Sequence, residues 1–201
     1  MNESVPYTRL PRPTLWLLRG EDDVRPFYLS KNPITNEEFE AYDPSHVRGP
    51  SSPGDLHPVV NVSFDDAAGY CQWYARASGK PFRLLSEIEW EQACRAEQPG
   101  QFFWGDDAEA GDPYVWDERT SGGRCRPVET SKANGFGLYD TLGNVWEWTS
   151  TPFSSGSPDG PRAVRGGSFR TPRAELSIGA RMSVAPGERR DDLGFRIGRF
   201  L

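Results

Sequence analysis

The sequence predicts a single α+β domain built from short helices, short strands and many loops. A chain of 201 residues fits one compact unit that buries most of the surface of its unfolded state. Its 7 Trp, 21 Gly and 18 Pro indicate many tight turns around bulky aromatic side chains. Helical periodicity is confined to the first half of the chain and gives way to short β-prone segments in the second. Helical bundles and doubly wound sheets fit this pattern poorly.

Three helices are predicted from residues that can cap their first turns. A Ser or Thr side chain at a helix start accepts a hydrogen bond from a free amide of the first turn, and an acid three residues later reinforces the cap. The sequence places such pairs at Thr35 with Glu38 and at Ser86 with Glu89, and places Ser63 before two acidic residues.

Two cysteines fall on the apolar faces of these helices. In the second helix, apolar residues including Cys71 recur at steps of three and four, and Gly79 stands where a left-handed C-cap is expected. Cys94 follows the same pattern in the third helix. We therefore interpret both thiols as core packing.

The second half of the chain is predicted to contain brief strands pinned between glycine and proline. The β-prone segments are residues 137–140, 145–149, 163–169 and 195–200. Residues 43–56 and 151–162 are rich in Pro, Ser and Gly and are predicted to be exposed loops. Neither loop divides the chain into domains, because the flanking apolar segments are too small to fold alone.

The charge balance limits the classes of partner. A net charge of −6 argues against nucleic acid or an anionic membrane as the main partner, because both require clustered cations. A protein or a small-molecule ligand remains. With no apolar run long enough to span a bilayer and no signal-peptide layout, we expect a cytoplasmic protein.

The cysteines and histidines are too few and too scattered for a soft-metal site. Cys71, Cys94 and Cys125 form no closely spaced pair, and reduced thiols are expected. His46 and His57 are the only histidines, so a zinc or iron site of the usual ligands is not expected.

Seven short motifs follow one another along the chain: FYLSKNPITNEEF, PVVNVSFDDAAGYCQWY, FRLLSEIEWEQACRAE, FFWGD, DTLGNVWEWTS, VRGGSF and LGFRIGRF. Their order and spacing resemble the formylglycine-generating enzyme (sulfatase-modifying factor) superfamily. The resemblance implies one C-type-lectin-like domain over residues 27–201, with short antiparallel strands, two or three helices and high loop content. Residues 1–26 are then an N-terminal extension or a first strand.

The chemistry of the resembled enzymes depends on two cysteines that are missing here. In members that make formylglycine, both follow the GGS turn and hold copper and dioxygen. In this sequence Thr171 falls near the first position, and Glu175 and Leu176 fall near the second. A hydroxyl or an alkyl group cannot replace a thiolate as a Cu(I) ligand, so neither copper nor formylglycine generation is expected.

The resemblance also implies a calcium site that uses only oxygen ligands. Its ligands would be the Asp140 and Glu147 carboxylates and the carbonyls of Gly143 and Val145. Hard cations prefer such ligands on a sharply turning chain. The alternative is that the two acids cap turns or pair with arginines, and we interpret Arg196 as a structural arginine.

By family analogy, a ligand groove would surround the positions of the missing cysteines. Strand parity sends Trp146 and Trp148 to one side and Val145 and Glu147 to the other. Core packing is the alternative for the tryptophans, and a structural role is the alternative for Arg181. The predicted groove residues are Trp104, Trp148, Arg170, Thr171, Arg173 and Arg181.

These observations favour a non-catalytic binding, regulatory or accessory protein, in effect a pseudoenzyme on this scaffold. The alternative is a cysteine-independent oxidase or maturation enzyme that acts on a peptide or siderophore precursor. Glu175 is the acid nearest to the missing cysteines and would be its base. A structural subunit of a larger complex is a third option.

Overall fold

The computed structural model describes residues 15–19 and 24–201 and contains two four-stranded sheets. The first sheet is antiparallel throughout, in the order β1-β2-β8-β3. Its last strand in the sequence, β8, therefore lies between two strands from the first half of the chain. The bounds are β1 Leu15–Leu18, β2 Phe27–Ser30, β3 Arg83–Leu84 and β8 Ile197–Phe200.

The second sheet has the order β6-β5-β4-β7 and carries the motifs of the C-terminal half. Its pairings are antiparallel except that between β4 and β7, which is parallel. Two sheets of short, mostly antiparallel strands confirm the predicted α+β class. The bounds are β4 Trp146–Pro152, β5 Arg162–Arg165, β6 Arg181–Val184 and β7 Leu193–Gly194.

The three predicted helices are present, and each begins with a complete capping box. They are α1 Asn36–Glu40, α2 Phe64–Ser78 and α3 Glu87–Arg95. In α2 the acid of the capping box is the third residue after the capping serine, as in α1 and α3. Gly79 ends α2 with φ of 68°, the left-handed conformation expected of it.

Two strand predictions need correction. Residues 137–140 form an irregular loop after a turn at 135–136, because the Asn134 side chain accepts hydrogen bonds from the Phe136 amide and from the Leu138 amide, which a strand would use. The predicted strand at 163–169 ends at Arg165, because the two glycines that follow it have φ of 99° and 75°.

Two large clusters of buried side chains form the core. One surrounds α2 and includes Phe39, Tyr70 and Trp148, and the other surrounds α3 and includes Trp90 and Phe102. Cys71, Cys94 and Cys125 lie in three different clusters, and all three are buried and free. The interpretation of Cys71 and Cys94 as packing residues is confirmed.

The N-terminal region is described only in part. Of residues 1–26, which we predict to be an extension or a first strand, 1–14 and 20–23 lie outside the described residues. Residues 15–18 form β1, which pairs with β2. No helix in the described ranges is long and apolar enough to cross a bilayer.

Candidate functional site

A fully buried ion pair joins the second residue of β4, Glu147, to Arg196, the residue before β8. Glu147 and Arg196 are 0% and 1% exposed. Arg196 donates from Nε to Glu147 Oε2 and from Nη2 to Oε1, both at 2.7 Å, and Trp90 Nε1 donates to Oε2 at 2.8 Å. We call residues 140–147, together with Arg196, the charged turn. The carboxylate predicted as a metal ligand thus has a bidentate arginine partner.

Asp140 is a second buried carboxyl group in the charged turn. It accepts from the Glu129 amide at 3.2 Å and from Ser131 Oγ at 3.4 Å. Burial raises its pKa to about 6. Arg196 Nη2 donates to the Tyr139 and Asp140 carbonyls at 3.0 and 3.4 Å, so one guanidinium spans both ends of the turn.

The backbone between the two acids has an unusual conformation that Trp116 supports. Gly143 and Asn144 have φ of 72° and 61°. A Cβ at Gly143 would collide with the Trp116 carbonyl oxygen, which accepts from the Asn144 amide at 2.7 Å. Val145, the other predicted carbonyl ligand, is buried. Glycine at position 143 is therefore required by both conformation and space.

These residues fit a hard cation in donor chemistry. The described residues contain no group of three or more His, Cys, Asp and Glu side chains that could hold a metal. Any ion here therefore needs the carbonyls of Gly143 and Val145 in addition to the carboxylates. Glu147 Oε1 accepts a single hydrogen bond, from Arg196, and retains a lone pair for a cation.

Two residues that the resemblance puts near the missing cysteines, Thr171 and Leu176, both lie against Gly167. A Cβ on Gly167, whose φ is 75°, would collide with Leu176 Cδ2 and lie 3.4 Å from Thr171 Oγ1. Leu176 is 0% exposed, and the Thr171 hydroxyl accepts from the Ser168 amide at 2.9 Å. We call Gly167, Thr171 and Leu176 the Gly167 pocket. It brings the two positions together and fills them with an alcohol and an alkyl group.

The cysteines that are present cannot substitute for the missing pair. Burial raises the pKa of the Cys71 thiol far above its usual value and raises those of Cys94 and Cys125 to about 12. Each lies in a separate cluster. The thiolate form that copper requires is therefore disfavoured at all three.

Arg173 is a buried arginine held by an aspartate that the sequence analysis missed. Its Nε donates to Asp117 Oδ2 at 2.5 Å, and its Nη1 donates to the Ala108 carbonyl at 2.7 Å. Burial would raise the pKa of Asp117, but hydrogen bonds from Arg173 and Thr120 outweigh it and hold the pKa below its usual value. The signal in the sequence is the DERT segment, in which Asp117 accepts from the Thr120 amide and hydroxyl.

Trp104 lies beside Arg173 in a stack of aromatic rings. The ring centroids of Phe102 and Tyr114 are 4.7 and 5.7 Å from that of Trp104, and each plane is tilted by 8°. A Cβ at Gly111 would lie 2.6 Å from Trp104 Cζ2 and 2.7 Å from Arg173 Nη1. Two of the six predicted groove residues are thus neighbours.

Of the other predicted groove residues, Thr171 lies in the Gly167 pocket, and the remaining three have partners elsewhere in the fold. Trp148 is 1% exposed, and its indole donates to the Val62 carbonyl, so it belongs to the core. Exposed Arg181 pairs with Glu87 at the start of α3. Exposed Arg170 pairs with Asp191. The six residues therefore do not line one continuous groove.

Two relatives of known name are similar to this chain in sequence. A formylglycine-generating enzyme from Streptomyces coelicolor is 36% identical over 70% of this chain and 52% of its own length. An inactive C-alpha-formylglycine-generating enzyme 2 from Mus musculus is 34% identical over 69% of this chain and 48% of its own length. The chain thus spans about half the length of both relatives.

Among solved structures, Treponema denticola variable protein 1 has the same fold. Its TM-score is 0.79 at 23% identity, and the match covers 94% of this chain and 93% of that one. Residues 19–200 match the sulfatase-modifying factor enzyme 1-like domain. Because this match covers most of the chain and the fold agrees with it, the chain belongs to the sulfatase-modifying factor enzyme 1-like family.

Proposed function

We propose that the chain is a non-catalytic binding or regulatory accessory protein on the family scaffold and that it does not generate formylglycine. One observation carries the proposal: Thr171 and Leu176, which the resemblance puts near the missing thiols, lie against the same glycine, Gly167. A relative named as an inactive formylglycine-generating enzyme supports it.

The chemical argument is that copper oxidation of a peptide thiol requires a soft ligand pair. A thiolate binds Cu(I) and transfers electrons, whereas a buried alcohol and an isobutyl group do neither at neutral pH. The Thr171 hydroxyl is already hydrogen bonded to the Ser168 amide. The pocket therefore contributes packing in place of reactivity.

The test is a paired copper and aldehyde assay. Purified protein is titrated with Cu(I) against a competing chelator and then incubated with a cysteine peptide that the Streptomyces coelicolor enzyme converts. We expect no stoichiometric copper and no aldehyde, with the Streptomyces enzyme as the positive control. Tight copper binding together with aldehyde formation would contradict the proposal.

The ligand is proposed to be a protein or a small molecule, and neither nucleic acid nor membrane is expected at a net charge of −6. The best-supported contact region is the partly exposed stack at Trp104, beside Arg173. Affinity capture from the native host, with wild type and Trp104→Ala in parallel, tests it. Loss of a specific partner from the variant is expected. The proposal keeps the predicted cytoplasmic location, which cell fractionation would check.

The alternative is a cysteine-independent oxidase or maturation enzyme acting on a peptide or siderophore precursor. The observation in its favour is that Glu175 ends the 3₁₀ turn Arg173–Glu175, next to Leu176, and is exposed. Such an enzyme predicts that Glu175→Gln abolishes turnover of its precursor. The accessory role predicts that the same variant captures the same partners as wild type.

We further propose one structural calcium ion at the charged turn. Asp140 and Glu147 would supply carboxylate oxygens, and Gly143 and Val145 would supply carbonyls. The ion would neutralise both carboxylates, because Arg196 binds the Glu147 carboxylate but reaches only the backbone carbonyl of Asp140. In a melting experiment EDTA should lower Tm by several degrees, and calcium but not magnesium should restore it. Asp140→Asn should lose this response. Identical melting curves with and without EDTA would contradict the site.

A further inference from the structure

Two loops outside the charged turn and the Gly167 pocket bring basic side chains to one surface. The Cys125 amide donates to the Ser51 carbonyl at 3.0 Å, and the Val128 amide donates to the Leu56 carbonyl at 2.9 Å. Residues 51–57 therefore run alongside residues 121–128. Arg124, Arg126 and His57 lie on these paired loops.

The lowered pKa of His57 indicates a positive electrostatic potential at this surface. The pKa of His57 is lowered first by burial and then by the charges of Arg124, Arg126 and Arg48. Arg48 itself is paired with Glu40 and Asp55. Asp191, whose charge acts on the nearby Cys125, is paired with Arg170. The acids that face this surface thus already have cationic partners.

Arg126 is held in place without a carboxylate partner. The side-chain amide of Asn144 fixes its backbone, accepting from the Arg126 amide at 2.9 Å and donating to its carbonyl at 3.1 Å. The guanidinium lies over the Trp116 ring, 5.4 Å from its centroid. A Cβ at Gly122 would lie 3.0 Å from Arg126 Nη2, so a glycine there leaves room for the guanidinium.

The guanidinium of Arg126 donates no hydrogen bond within the described part of the chain. Its Nε and the Nε1 of Trp116 are both screened from solvent and have no acceptor there. Neither Arg126 nor Arg124 has an ion-pair partner in residues 15–19 and 24–201. The buried arginines differ, since Arg173 and Arg196 both bind carboxylates. A positioned guanidinium with free donors is suited to an external acceptor.

We propose that Arg126, assisted by Arg124, binds the carboxylate of an acidic ligand beside the Trp116 ring. A planar carboxylate matches the two in-plane Nη donors of a guanidinium. Two uncompensated positive charges on a chain of net charge −6 attract an anion locally while the rest of the surface repels it. This site goes beyond the proposed accessory function and requires neither the loss of the cysteines nor a calcium ion.

The experiment follows the arginine Nε–H signals of ¹⁵N-labelled full-length protein by NMR at constant ionic strength. Malonate, an acetylated glutamate peptide and inorganic phosphate are titrated separately. Saturable shifts of the Arg126 signal with the two carboxylates, and weaker binding of phosphate, are expected. Tighter binding of the peptide assigns the carboxylate to a protein side chain, and tighter binding of malonate assigns it to a small acid. Equal or tighter binding of phosphate, or no saturation, overturns the proposal.

Matched variants separate binding from folding. Arg126→Gln should weaken carboxylate binding at least about tenfold, and Arg126→Lys should also weaken it because lysine keeps the charge but loses the planar pair of donors. Arg124→Gln should have a smaller effect. Arg76→Gln, at an exposed arginine of α2, serves as the control and should bind as wild type. Unchanged binding by Arg126→Lys and by Arg126→Gln, with wild-type melting, would overturn the assignment.

Discussion

The charged turn and the Gly167 pocket are both buried, but they differ in how they can change. In the charged turn, Glu147 and Arg196 depend on each other, so the loss of either leaves an unpaired buried charge. In the Gly167 pocket, Thr171 and Leu176 pack as ordinary core residues. Single substitutions should therefore be tolerated better in the Gly167 pocket than at the ion pair of the charged turn.

The largest expected effect is on the charged turn. Glu147→Ala should lower the free energy of unfolding by about 3–5 kcal/mol, because Arg196 is left buried without its counterion. Urea denaturation followed by tryptophan fluorescence measures it. Glu109→Ala, which removes an exposed partner of Arg119, is the control and should change little. If both variants lost the same free energy of unfolding, the buried ion pair would contribute no more to stability than the surface pair.

The Gly167 pocket should respond to loss of volume. Leu176→Ala should destabilise the protein by about 2–4 kcal/mol, because a leucine that is 0% exposed leaves a cavity against Gly167. Leu176→Met conserves most of the volume and should lose less than about 1.5 kcal/mol. If both variants unfolded at the same urea concentration, the side chain would not be packed as described.

Thiols introduced at positions 171 and 176 should create copper binding with only a modest loss of stability. The combined change Thr171→Cys and Leu176→Cys should bind Cu(I) with a chelator-competed stoichiometry near one, because both side chains meet at Gly167. Stability should fall by roughly 1–2 kcal/mol, mainly from the smaller side chain at position 176. Each single variant is the control and should bind copper more weakly. A double variant without affinity for copper would mean that the two positions do not face each other.

The smallest effect is expected at the exposed ion pair of Arg170 and Asp191. Arg170→Ala removes an exposed pair with Asp191 and should change the free energy of unfolding by about 0.5 kcal/mol or less. The same denaturation series measures it. If Arg170→Ala lowered the free energy of unfolding as much as Leu176→Ala, this surface ion pair would be as important for stability as the buried core.

Local signals in the sequence predicted the helices well. Each helix begins where a serine or threonine stands three residues before an acid, and the cap is satisfied within that short segment. Such hydrogen bonds form between near neighbours, so they need no knowledge of the rest of the fold. The N-cap residues Thr35, Ser63 and Ser86 were therefore predictable from the sequence alone.

The strands were predicted less well, because hydrogen bonds to residues outside a segment determine whether that segment forms a strand. Residues 137–140 have β-prone composition, yet Asn134 binds the Phe136 and Leu138 amides and makes a turn. Pairing of β6 with β5 depends on contacts between distant segments. Composition reports the preference of a segment and does not report such competing partners.

Individual site residues were predicted unevenly for the same reason. Strand parity correctly separated Trp148 from Glu147, but parity cannot say that both sides of β4 are buried. Asp117 lies in a loop, and its partner Arg173 is 56 residues away in the sequence. Pairings over that distance depend on the folded chain, so the sequence indicated the residue types but not their neighbours.

The central position of β8 has a consequence for the order of events during synthesis. Residues 197–200 bridge β2 and β3, which belong to the first half of the chain. The first sheet cannot close on the ribosome until β8 has left the exit tunnel, because β8 separates β2 from β3. Contacts between segments so far apart in the sequence favour slow folding.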